Sequence, residues 1–414
     1  MIKFESHRWK FKARFRRHAF GWRSQPAIGR IQEAVAEIKK VAKQDPLLAA
    51  EGAVTFLERL SPALEQVDSS YGSIGAAVGN AISEMVPLIE NAPAEKVTRD
   101  AWLERLFEAH QADEIPYIER LADHWGNLCA SKEAASVWAD RLIGATRAHL
   151  QSDKGGPIHF RGTSACLSAL FSAKRFDDLI ELLHVDAIWP YKQWAVRAMA
   201  AKGQKAEALD YAEACRGRWT SDYEVDSICE EILLSSGMMD EAYARYGVRV
   251  NRGGTYLATF RAVAKKYPHK PAGEILADLV KTTPGSEGKW FAAAKDAGLY
   301  TEALALATRT PCDPKTLTRA ARDFAATESA FAVGSGLLAL HWLVQGYGYE
   351  VTGLDVWGAY HATLAAADRS GSAVAVKERI SQMIAGRDAS GGFVSQVLGR
   401  ELGLRELRPP ELRK

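Results

Sequence analysis

The sequence predicts an all-α protein: a helical N-terminal domain followed by a stack of helical hairpins. Three observations carry that prediction. A turn marker recurs five times, consisting of a Gly or Lys, an acidic residue four positions later, and then two small or apolar residues. The five are Lys174 with Asp178, Leu179 and Ile180; Gly203 with Glu207, Ala208 and Leu209; Gly237 with Glu241, Ala242 and Tyr243; Lys270 with Glu274, Ile275 and Leu276; and Gly298 with Glu302, Ala303 and Leu304. The steps between them are 29, 34, 33 and 28 residues, the period of stacked helix pairs. Outside this ladder, apolar residues recur at helical spacing, as in Ile28, Ile31, Ala34, Ile38 and Val41. Finally, a composition of 47% hydrophobic and 25% charged residues is that of a globular chain able to bury large cores.

Residues 1–24 form a basic aromatic arm. From Trp9 to Arg16 rings or alanine alternate with cations: Trp9, Lys10, Phe11, Lys12, Ala13, Arg14, Phe15, Arg16. Period two predicts a short strand or extended segment, packed on the body by its rings. Residues 25–150 form the N-terminal helical domain. Helices are expected over 27–43, 47–67, 72–90 and from 98 to about 115, then at 117–129 and 132–150. Asp45-Pro46 and Asn91-Ala92-Pro93 separate the early ones. Gly72, Gly75, Ala76 and Gly79 suit close approach of a neighbouring helix. The Gly155-Gly156-Pro157 stretch within 151–157 is the expected linker.

Helical-hairpin repeats occupy 158–310, with pairs at 162–186, 189–217, 222–251, 254–283 and 286–310. Each marker reads as a folding device. The Gly ends one helix in a left-handed conformation, the acid starts the next, and the apolar pair packs back. Residues 311–390 extend the α-rich region through further helices. Residues 391–414 hold a terminal helix and a polar tail ending Pro409-Pro410-Glu411-Leu412-Arg413-Lys414.

The ladder resembles the tetratricopeptide family of α-solenoids. The residues that carry the resemblance are Ala198-Met199-Ala200-Ala201-Lys202-Gly203-Gln204-Lys205-Ala206-Glu207-Ala208-Leu209, with Ser235 to Tyr243 and Lys295 to Leu304 matching in the same place. The family's small residue seven positions before the Gly is here Val196, Glu230 or Phe291, and its closing Pro is Thr220, Gly254 or Lys315. The match is to a degenerate relative and covers about 150 of the 414 residues. It implies a right-handed solenoid and a concave groove that binds peptides or proteins, although a fold by itself does not define a function.

Charge and motifs bound the chemistry. Formal net charge is +2, but residues 1–30 carry nine Lys or Arg against one acid, Glu5. The body is therefore mildly acidic and the arm strongly basic. Five cysteines (129, 166, 215, 229 and 312) include no C-x-x-C pair, which fits reduced thiols and a cytoplasmic location. No secretory apolar run opens the chain, and the longest apolar stretch, Phe331 to Val344, is interrupted by Gly334, Ser335, Gly336 and His341. Gly285-Ser286-Glu287-Gly288-Lys289-Trp290 lacks phosphate-loop spacing, no H-e-x-x-h or G-x-S-x-G motif occurs, and the histidines are scattered. No catalytic residue, metal ligand or cofactor is expected.

Two sets of residues are candidate contacts. Arg8, Trp9, Lys10, Lys12, Arg14, Arg16 and Arg17 could bind a partner protein, neutralise phosphates while rings stack on bases, or rest on an anionic membrane. Packing of the rings on the body with the cations paired to its acids explains the same residues. Trp189, Tyr191 and Trp194 could line a groove or fill the space between repeats. The leading expectation is a non-enzymatic protein- or peptide-binding scaffold. The alternatives are a nucleic-acid-associated protein using the arm, and an enzyme whose site assembles from distant helices.

Overall fold

A computed structural model describes residues 7–70, 72–151, 160–184, 187–385 and 392–403. The expected linker stretch Gly155-Gly156-Pro157 and the polar tail lie outside these residues. Among the described residues all regular structure is helical. The chain divides into two compact units, Met1–Ile232 and Leu233–Lys414. The first contains α1 (Lys10–Arg14), α2 (Ser24–Ala42), α3 (Pro46–Leu64), α4 (Ser73–Glu90) and α5 (Lys96–Gln111). A 3-10 turn (Glu119–His124) leads into α6 (Trp125–Cys129) and α7 (Lys132–Gln151). Then come α8 (Thr163–Ser172), α9 (Phe176–Leu182), α10 (Trp189–Ala201), α11 (Lys205–Ala214) and α12 (Asp222–Ser235), which runs through the boundary. The second unit continues with α13 (Met239–Ala242), a π-helical turn (Tyr243–Gly247) and α14 (Val248–Val250). It goes on through α15 (Tyr256–Lys266), α16 (Ala272–Lys281), a 3-10 turn (Glu287–Trp290), α17 (Phe291–Asp296) and α18 (Tyr300–Arg309). It closes with α19 (Pro314–Asp323), α20 (Ser329–Val344), α21 (Gly353–Arg369), α22 (Ala373–Ala385) and α23 (Phe393–Leu398). No helix among the described residues is long and apolar enough to cross a membrane.

The ladder markers act as turns of one geometry. Lys174, Gly203, Gly237 and Gly298 have φ of 59°, 88°, 75° and 73°, so each ends its helix left-handed. The next N–H then reaches back five residues: Arg175 to Leu170 O, Gln204 to Met199 O, Met238 to Leu233 O and Leu299 to Ala294 O, all at 2.9–3.0 Å. That is the Schellman closure of an exposed helix end. The marker acids Asp178, Glu207, Glu241, Glu274 and Glu302 all fall in the first turn of the following helix. The residues after them, Leu179, Ala208, Ala242, Ile275 and Ala303, are all buried. Lys270 departs from the pattern. Its N–H bonds Tyr267 O, and Pro271 rather than a left-handed residue turns the chain into α16.

The arm corrects the expectation of a strand. Residues 10–14 form one helical turn whose first amides, Lys10 N–H and Phe11 N–H, donate to the two oxygens of Glu37 on α2 at 2.8 and 3.2 Å. A carboxylate borrowed from another helix thus caps a turn too short to stand alone. Phe11 and Phe15, four apart, share a buried face and meet Phe56 edge-on at 5.7 and 5.2 Å, while Ala13 is exposed. The arm runs along α3 in register. Trp9 lies against Gly52, where any β-carbon would collide with the indole. His18 N–H bonds Pro62 O, Arg17 pairs with Glu65, and Asp68 N–H bonds Trp22 O. The arm's rings join the core that continues through α2–α8 to Ala198.

Arg99 on α5 is buried with its guanidinium spread over four backbone carbonyls. Nη1 donates to Ile89 O (2.9 Å) and Leu128 O (3.2 Å), and Nη2 to Ala92 O (2.8 Å) and Glu90 O (3.5 Å). Ile89, Glu90 and Leu128 lie in the last turns of α4 and α6, and Ala92 just beyond α4. Burial lowers the pKa, opposed by the neighbouring Cys129 and Glu90, yet an arginine remains charged. Asp113, also buried, accepts from Ser61 Oγ, Tyr117 N–H and Ile118 N–H, and so directs the chain into the 3-10 turn.

Replacing Arg99 with Met keeps the volume but removes all of these guanidinium donors, leaving Ala92 O with only the Ala94 N–H. Urea unfolding is expected to show a loss of roughly 3 kcal/mol. Lys174, the one non-glycine at a ladder turn with positive φ, gives the opposite sign. Lys174→Gly is expected to raise stability by about 1 kcal/mol, and Gly203→Ala to lower it by a similar amount.

Candidate functional site

The first unit contains a polar cleft of about 600 Å³. Its floor is α4, where Arg120 lies across Gly79 with Nη1 3.4 Å from the place a β-carbon would occupy. One wall is the 3-10 turn and α6, which present Asp123, His124 and Asn127. The opposite wall comes from α8 and α10 with Phe171, Trp194 and Arg197, and Glu224 of α12 stands at the edge. Phe171 and Trp194 meet at 5.8 Å between ring centroids, and the Arg197 guanidinium lies 5.6 Å from the Trp194 ring.

A single hydroxyl staples the walls together. Ser168 Oγ on α8 donates to Asp123 O at 2.9 Å and accepts from Gly126 N–H at 3.0 Å. Position 126 must be Gly, because a β-carbon there would overlap Ser172 Oγ and Ser168 O. The close approach of α6 to α8 that forms the cleft therefore depends on the missing side chain.

Arg120 and Arg197 have no ion-pair partner among the described residues, although both lie near Asp123. Crowding by the cleft walls raises the Asp123 pKa, opposed by the Ser164 hydroxyl and by His124, Arg120 and Arg197. Asp123 nonetheless keeps contact with solvent through the cleft mouth. Desolvation lowers the His124 pKa, with Asp123 opposing and Arg120 reinforcing. Two arginines engaged in no ion pair among the described residues, beside an apolar wall, can receive a carboxylate or phosphate in charge-assisted hydrogen bonds. Among the described residues no group of three His, Cys, Asp or Glu is arranged to hold a metal.

Of the groove aromatics, the structure brings only Trp194 to this cleft. Trp189 is core, its indole N–H without a partner among the described residues, and Tyr191 is half-buried, its hydroxyl pKa raised by burial and by Glu119. In the arm, Trp9 is buried, whereas Arg8, Lys10, Lys12, Arg14, Arg16 and Arg17 are exposed. Arg14 pairs with Glu33 at 2.5 Å and Arg17 with Glu65 at 3.3 Å. The buried ring of Trp9 leaves no face for a base. The 285–290 stretch is a turn that buries Trp290, whose indole donates to Thr283 Oγ1 at 2.7 Å. Cys166 is buried at the start of α8 and its thiol pKa is pushed up to about 11, so the helix end does not activate it.

No protein-family model, curated protein or solved structure matches the chain.

The imidazoles of His124 and of buried His110 both resist protonation, chiefly through desolvation. The unfolded chain takes up those protons more readily, so their contribution is present above the ordinary histidine pKa of 6.5. It is lost as the pH falls below that value. Urea midpoints are expected to drop between neutral and mildly acidic pH, and His110→Gln should flatten the drop.

Proposed function

We propose that this protein is a non-enzymatic binding module that takes a partner's peptide segment, anchored by an acidic group, into the polar cleft. The observation that carries the reading is which helices line the cleft. α8, α10 and α12 all contribute, and each precedes a ladder turn; α9 and α11, which follow the turns, contribute nothing. In a right-handed tetratricopeptide-like solenoid, the arrangement the sequence resembles, the helices before the turns form the concave face. The Trp194–Phe171 wall and the two free guanidinium groups then supply an apolar contact and an anion anchor. Buried thiols, with Cys129 and Cys312 pushed up to about 12, suit a reducing cytoplasm.

A second reading is supported by Asp123 and His124. Desolvation raises one pKa and lowers the other in the same cleft, a pattern that clusters at functional sites. The Ser168 hydroxyl is already engaged by Asp123 O and Gly126 N–H and is no free nucleophile.

Panning a random-peptide library against the full chain tests the first reading. Peptides carrying Asp or Glu should be enriched, and the Arg120→Ala/Arg197→Ala variant should bind them about 100-fold more weakly, roughly tenfold per lost charged contact. No enrichment, or equal binding by the variant, would refute it. Turnover of a bound peptide that Asp123→Asn abolishes without loss of binding would establish the second.

A further inference from the structure

The cleft leaves the outer side of the N-terminal arm unexplained. Burial of Trp9, Phe11, Phe15 and Phe20 fixes the arm between α2 and α3 with its cations facing solvent. Arg8, Lys10, Lys12, Arg16 and Arg23 are exposed and form no ion pair among the described residues. Arg59 of α3, also without an ion pair, adds its guanidinium 3.5 Å from Lys12 O. The register from Gly52 to Glu65 sets the length of this basic track at about 20 Å, from the helical rise of 1.5 Å per residue. At its far end Trp22 is 71% exposed, beside Arg23.

We propose that this track binds the phosphate backbone of a single-stranded nucleic acid. Three observations favour that partner over an anionic membrane. Acids border the track on both sides, Glu33 and Glu37 on α2 and Glu65 and Asp68 beside α3, and Glu33 and Glu65 hold Arg14 and Arg17. A flat anionic surface would meet both signs of charge, whereas a narrow strand lying along the arm meets cations. The outward residues between the cations include Ala13 and Ala19, which offer nothing to insert into lipid. Trp22 supplies an exposed indole at the end of the track on which one base can stack, and the buried rings cannot take others. Recognition is therefore of backbone rather than sequence, over about four nucleotides, the short end of single-strand site sizes.

The test is fluorescence anisotropy of the full chain with a labelled oligothymidylate, across salt from about 50 to 200 mM. Four phosphate contacts predict a slope of log affinity against log salt of roughly −3, at about −0.7 per contact. Arg8→Ala, Lys12→Ala and Arg16→Ala should each make the slope shallower by about 0.7. Trp22→Ala should weaken binding and leave the slope unchanged, and Arg16→Lys should retain it. Circular dichroism and thermal midpoints equal to wild type show that the arm stays docked in each variant. No anisotropy change at the lowest salt overturns the proposal, as does binding that the Arg8/Lys12/Arg16 triple alanine variant retains. Association with phosphatidylserine-containing vesicles but not with the oligonucleotide also overturns it, and assigns the track to lipid.

Discussion

The guanidinium of Arg99 is the interaction on which the first unit turns. A helix that ends inside a protein leaves carbonyls that water cannot reach, and α4 and α6 both end that way. One planar cation with five donors serves both ends at once, through Ile89 O and Glu90 O on one side and Leu128 O on the other. Its charge is tolerated because its donors meet carbonyl oxygens, and the Trp102 ring lies 5.8 Å from it. The two helices joined there are the same two that contribute the floor and one wall of the cleft. The recess therefore inherits its shape from a contact on the far side of those helices.

Around that anchor, small residues decide where polar ones can lie. Gly79 gives Arg120 a flat surface to cross, and Gly126 lets α6 sit close enough to α8 for Ser168 to bridge them. The result is a cavity whose charges are only partly compensated. Asp123 lies near two arginines and a histidine whose pKa desolvation lowers. The Arg197 guanidinium lies 5.6 Å from the Trp194 ring, and Arg120 crosses Gly79 in the same cleft.

How much of this the sequence revealed follows from the range of the interactions involved. The hairpin turns were legible because their causes are local: a left-handed residue, an acid four positions later and a small residue to pack. Even Lys174 was found, since its neighbours carry the same pattern as the glycines. Lys270 fitted the spacing but not the geometry, because Pro271 supplies the turn by another route. The arm's alternation points to a short strand or extended segment packed by its rings; the rings do pack, but a carboxylate 27 residues away, Glu37, caps the amides of a helical turn. Of the cleft, the sequence points to Trp194 as a contact residue and to Gly79 as a point of close approach. Its other walls come from six elements between Gly79 and Glu224, and no spacing in the chain announces their meeting.

The arm's position also has a consequence for the order in which the molecule is made. Synthesis runs from the N-terminus, so Trp9, Phe11 and Phe15 leave the ribosome ahead of everything that covers them. Glu37, which caps their helical turn, comes next, and Phe56 and Gly52, which receive the rings, come later still. The arm must therefore wait, undocked and apolar, until α3 has emerged and packed on α2. Its cations, spaced between the rings, keep that waiting segment soluble. The charge pattern serves the nascent chain as well as the finished surface.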